Sequence, residues 1–199
     1  MIFLLILVMI GVASRLIEHA PNATPIVALS ILAGYFCRSW VAYIVPILII
    51  FISNLWLGHY DLELSIAIYG SFCVPVLLSK YSDGFFRAGL TALLCSCIFF
   101  ITTNLAVWHG STFYSQDLSG LYQCFLAALP FFRNTIVGDL GYTFIAWTII
   151  WASGRVAKAS VCKAEIIMGS SPISLSKHVD VVIKTMQHGG SNPPVSTRG

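Results

Sequence analysis

Long apolar runs broken by short polar knots set the pattern of this chain. Apolar length and breakers predict about six membrane helices, over roughly 1–17, 22–37, 41–58, 62–79, 85–108 and 128–152. The predicted fold is an all-α membrane protein, a bundle of about six transmembrane helices in one domain, 1–153. From Gly154 the sequence turns polar and rich in Ser, Gly and Pro, which predicts a disordered tail over 154–199. The first run has the length of a secretory signal but no basic start and no convincing cleavage site, so it is read as a retained helix. Pro25 suits a first-turn position, while Pro46 and Pro75 predict kinks within their segments.

The first break, "IEHAPNATP" (Ile17 to Pro25), packs charge, an asparagine and two prolines between apolar runs. Why a greasy chain carries it depends on which side it faces. Composition first fixes the solvent: only 10% of residues are charged and 57% are hydrophobic, with a mean hydropathy of +0.85. A soluble domain carries about 25% charged residues, so lipid is the solvent here. A net charge of +3 without clustered Lys and Arg excludes a nucleic-acid partner. The cysteines (Cys37, Cys73, Cys95, Cys97, Cys124, Cys162) lie mostly in apolar runs and read as small hydrophobes, not disulfides.

Orientation follows from Lys and Arg. One side holds Arg38, Lys80, Arg87, Arg155, Lys158 and Lys163; the other holds Arg15 and Arg133. The first side is predicted cytoplasmic, with the chain multi-pass in the cell's inner (plasma) membrane and both termini on the cytoplasmic side. The polar knot then faces outward, together with Glu18, His19, Asn22, Asn54, His59, Asp61, Glu63, Asn104, Trp108, His109 and Asp117. Polarity gathered on one face is the main functional clue.

The strongest local signal is "LPFFRNTIVGDLGYTF" (Leu129 to Phe144), where Arg133, Asn134 and Asp139 stand in an apolar span. Asp139 falls about three turns below Leu129, close to mid-membrane. A charge there costs about 2.5–3.5 kcal/mol on insertion scales and normally faces a partner or a wet cavity. Thr135, Asp139, Tyr142 and Thr143 share a face by spacing. That predicts a cavity with Asp139 at its floor and Arg133 near its mouth; an internal pair of Arg133 with Asp61 or Glu63 is the bland alternative. "FFITTNLAVWHG" (Phe99 to Gly110) offers Asn104 and Trp108, and "ISNLWLGHYD" offers Asn54, each as ligand contact or helix-packing glue. The stretch Ser111 to Ala128 reads as a long amphipathic loop, lying flat on the bilayer or capping a pocket. Ser30 and Gly34 suit close helix packing. No spacing ties His19, His59 and His109 into a metal site, and no catalytic or P-loop motif occurs, so neither enzyme, metal nor cofactor is predicted.

The stretches from Arg15 ("RLIEHAPNATPIVAL"), Tyr43 ("YIVPILIIFISNLWLGHY"), Phe99 ("FFITTNLAVW") and Gly120 ("GLYQCFLAALPFFRNTIVGDL") together resemble a bacterial integral membrane family. That family is related to the substrate-binding S components of energy-coupling-factor (ECF) vitamin transporters. The likeness covers about residues 10–152. It implies a six-helix bundle that captures a small vitamin- or metabolite-type molecule from the outer side, with a transmembrane coupling subunit and ATPases as partners. Pro21, Asn22, Pro25, Asn54, Asn104, Trp108, Pro130, Asn134 and Asp139 match its motifs. The ligand-binding residues expected are Asn22, Asn54, Asn104, Trp108, Arg133, Asn134, Asp139 and Tyr142. A membrane enzyme acting on a lipid-linked substrate, and a ligand-free assembly subunit, are the rival readings.

Overall fold

The computed structural model describes residues 2–18, 20–37 and 39–168, with side chains described as far as Gly154. Six α-helices follow one another: α1 (Ile2–Leu16), α2 (Ile26–Cys37), α3 (Ile44–Leu57), α4 (Leu62–Leu78), α5 (Phe85–Gly110) and α6 (Leu118–Met168). Short 3-10 turns at Trp40–Tyr43 and Ser79–Tyr81 lead into α3 and out of α4. Among the described residues there is no strand. Residues up to Ala146 form one compact unit; a second begins at Trp147, where α6 runs on to Met168. His19, Arg38 and the stretch 169–199, to which most of the expected tail belongs, lie outside the described residues.

The helix order is the one the apolar runs predict, with a difference in the last. No long loop spans Ser111 to Ala128: α6 starts at Leu118 and carries Pro130 inside it. Asp117 starts the helix. Its Oδ1 accepts the Gly120 N–H at 2.8 Å and the Ser115 hydroxyl at 2.7 Å, filling the N-cap role. These bonds hold the Asp117 carboxyl below the usual carboxylate range, the Gly120 N–H being the larger cause. Pro46 also departs from expectation: it is the third residue of α3, where no intrahelical N–H partner is lost. Pro75 does lie within α4.

Among the described residues, four segments are long and apolar enough to cross a bilayer: 40–57, 62–81, 85–110 and 118–154. α1 and α2, of 15 and 12 residues, are shorter. α2 explains its own brevity. It is buried at nine positions, from Ile26 to Tyr35, so protein surrounds it on every side. α1 packs along α3, α2 along α4, and α4 along α5. Gly34 brings α2 against the Val76 carbonyl and the Ser79 side chain, close enough that a Cβ would clash. The Ser30–Gly34 pair is therefore internal packing. Ile26, Ala33, Val45, Ile49 and Ile50 form the centre of the core. Outside it, large apolar side chains such as Ile2, Met9, Phe51, Ile66, Leu90 and Val137 are exposed, which water would not tolerate over so wide a surface. The protein is membrane-embedded.

Candidate functional site

The connections α1–α2 and α3–α4 meet at one end of the bundle, where Asn22 and Tyr60 line one cavity, and the end of α5 joins them through His109, which meets Glu63. There residues 20–25 of the knot fold into a turn. Ala23 N–H donates to the Ala20 carbonyl at 3.0 Å, and Asn22 adopts a left-handed conformation, φ 64°. Asparagine tolerates that region better than most residues. The Pro25 carbonyl then accepts the Leu29 N–H at 2.9 Å, opening α2. Ala23 rests on α6 at Gly138: a Cβ there would meet Ala23 Cα at 2.9 Å. Glycine is what lets this turn seat so closely on α6.

Beneath the turn lie two adjoining compartments, of about 280 and 220 Å³. Asn22, Tyr60, Ile68, Phe99 and Thr135 line both. The larger adds Arg15, Thr24, Phe72 and Asp139; the smaller adds Phe100, Thr103, Asn104, Phe131 and Phe132. Each is at or just below the lower end of about 300–1,000 Å³ usual for small-molecule pockets.

Asp139, 3% exposed, accepts a 2.6 Å bond at Oδ2 from the Ser96 hydroxyl of α5. Arg15, at the end of α1, donates from Nη1 to Ser53 Oγ at 2.7 Å and from Nη2 to Tyr60 Oη at 3.4 Å. Ser53 in turn donates to the Ile49 carbonyl at 2.6 Å, which orients its lone pairs toward the guanidinium. In the smaller compartment Asn104 donates to the Phe100 carbonyl at 2.7 Å, and the Phe100 and Phe132 rings stack at 4.2 Å.

Of the expected site residues, Asn22, Asn104 and Asp139 line the cavity. Asn54 does not; it is buried in α3 with its side-chain oxygen unpartnered. Trp108 is turned to another task, its Nε1 donating to the Ser115 carbonyl at 2.9 Å, while Gln116 donates back to the Trp108 carbonyl at 2.7 Å. Arg133 is exposed, Asn134 half-buried and Tyr142 37% exposed, and none of them lines either compartment. The reason is helical phase. Thr135, Asp139 and Thr143 recur every four residues and are buried, whereas Arg133 stands about 200° around the helix from Thr135. The alternative pairing of Arg133 with Asp61 or Glu63 is not formed among the described residues; Glu63 Oε2 instead meets His109 Nδ1 at 2.9 Å. Among the described residues no three His, Cys, Asp or Glu side chains converge as a metal site.

Arg15 takes the place expected for Arg133, and Ser96 and Tyr60 were not singled out at all. Arg15 carried the available signal, a cation among the polar residues gathered on the outer side, but nothing in the sequence marked it as a ligand contact. Ser96 carried none: a serine between two cysteines in an apolar helix is ordinary.

No curated protein and no solved structure matches the chain. Residues 1–160 match the pattern of a family of unknown function, DUF6580, and the chain belongs to that family.

Proposed function

We propose that the chain is a membrane transport protein of S-component type, which captures a small vitamin- or metabolite-like molecule in the cavity beneath the Asn22 turn. One observation carries this reading. A buried carboxyl group, Asp139, lines a cavity within a membrane bundle, where an ionisable side chain is expensive to keep. A carboxylate that only locked helices together would be enclosed, with no space at its side. The excess of Lys and Arg on the opposite loops supports a cavity open to the outer face of the plasma membrane, with both termini cytoplasmic. Lacking a nucleotide-binding motif, the chain would pass its ligand to a transmembrane coupling subunit with ATPases.

The partner of Asp139 favours binding over acid–base catalysis. Ser96 does not titrate in the working range, neither His59 nor His109 lines the cavity, and His109 is engaged by Glu63. The test is extraction of small molecules from protein purified in mild detergent, wild type against Asp139→Asn. Wild type is expected to yield one species in near-stoichiometric amount and Asp139→Asn little of it. Empty wild-type preparations across several detergents would remove the reading.

A further inference from the structure

Two ionisable groups of opposite kind, Arg15 and Asp139, line the larger compartment, and among the described residues no group of opposite charge meets either. The Arg15 guanidinium is held by hydroxyls alone, those of Ser53 and Tyr60. The Asp139 carboxylate is held by the Ser96 hydroxyl. Both line the same space, yet no ion pair joins them; among the described residues the ion pair is His109–Glu63, at the edge of the bundle. Hydroxyl partners fix the position of a charge without cancelling it. Such charges are costly inside a membrane unless something of opposite sign meets them. An anion alone would leave Asp139 uncompensated, and a cation alone would leave Arg15 so. A molecule bearing both signs answers both walls at once. Beside the compartment that holds Arg15 and Asp139, the smaller one is aromatic, with Phe99, Phe100, Phe131 and Phe132 around it.

Resting on the capture reading above, we propose that the ligand is a small zwitterion carrying a flat apolar group. Its ammonium meets Asp139, its anionic oxygens meet the Arg15 guanidinium, and its ring enters the aromatic compartment. Arginine suits that role because its planar donors match an oxyanion. The ring gains offset or edge contacts with phenylalanines already in place.

The experiment presents immobilised full-length protein in mild detergent with an equimolar mixture of small aromatics, matched in skeleton and differing in charge. On an indole ring these are tryptophan, tryptamine, indole-3-propionate and indole-3-ethanol, with equivalent sets on phenyl and pyridine rings. Retained species are quantified by mass spectrometry. Zwitterions are expected to be held at least about tenfold better than the amine, the acid or the alcohol of the same skeleton, the size of one charge-assisted hydrogen bond. Asp139→Asn should bring zwitterion and acid level, and Arg15→Gln should bring zwitterion and amine level. Arg15→Lys keeps the charge and separates it from folding: it should still hold zwitterion over amine. Retention of an acid, amine or alcohol as well as its zwitterion overturns the ligand class and leaves capture standing. Retention of nothing from any set overturns capture and the ligand class together.

Discussion

Adding one methyl group at Gly138 tests whether the Asn22 turn is seated on α6. A Cβ at Gly138 would lie 2.9 Å from Ala23 Cα and 3.3 Å from Ala23 C and Cβ. Ordinary contact begins near 3.4 Å, so the turn must retreat by about 0.5 Å. The obstacle is backbone rather than a side-chain tip, and overpacking of this kind costs about 1–3 kcal/mol. Glycine to alanine inside a helix returns about 1 kcal/mol of propensity, which would blur a single measurement. Gly141 supplies the control. It lies in the same helix, three residues on, and its Cβ would meet nothing within 4 Å. Propensity therefore cancels between Gly138→Ala and Gly141→Ala, and the seat alone remains. Denaturation in mild detergent should show Gly138→Ala less stable than Gly141→Ala by about 1–3 kcal/mol. Asn22 lines both compartments, so Gly138→Ala should also weaken ligand retention while Gly141→Ala leaves it intact. Equal stability and equal retention in the two variants would refute the seating of the turn on α6.

The same end of the bundle yields three further expectations. Asn22 is left-handed, so Asn22→Val should cost about 1–2 kcal/mol by denaturation while Asn22→Gly stays near wild type. Ser96→Ala removes the hydroxyl bonded to Asp139 and should destabilise by about 1–3 kcal/mol in the same assay, the cost of leaving a buried polar group without its partner. Asp117 has its folded pKa lowered by the Gly120 and Ser115 bonds, so its capping contribution is complete above its unfolded value near 4 and is lost as pH falls through the lower folded value. Hydrogen exchange at the amides of Leu118–Leu121 should show fraying at acid pH in wild type, and no such pH step in Asp117→Asn; an identical profile in both would count against the cap.

The order of the six helices was legible because a bilayer imposes length and apolarity directly, and Pro, Gly and Asn mark the breaks. The start of α6 was not. Leu118, Leu121, Tyr122 and Phe125 read as an amphipathic loop on the bilayer or over a pocket, yet the capped helix begins at Leu118 and carries Pro130 inside it. In the candidate site, Asp139 stood out as a lone carboxylate in an apolar span, and Asn22 as part of a polar knot. Which cation shares the cavity was not legible. Arg133 lies close to Asp139 in sequence but points away by helical phase, whereas Arg15 arrives from the far end of α1 through its bond to Ser53. Tertiary placement of that kind leaves no periodic trace. Trp108 and Asn54 read as ligand contacts because polar groups on one face are alike in sequence. Only the partners separate them: Ser115 engages Trp108, and Asn54 sits buried within α3.

The most direct measurement is native mass spectrometry of the intact protein, released gently from detergent, with wild type set beside Thr135→Leu. Thr135 is buried and lines both compartments, so the larger side chain takes up shared cavity space without altering any charge. Wild type should fly with a discrete added mass of one small molecule, and Thr135→Leu, still folded, should fly bare. A bare wild type, or an added mass that Thr135→Leu keeps in full, would contradict ligand capture in the cavity beneath the Asn22 turn.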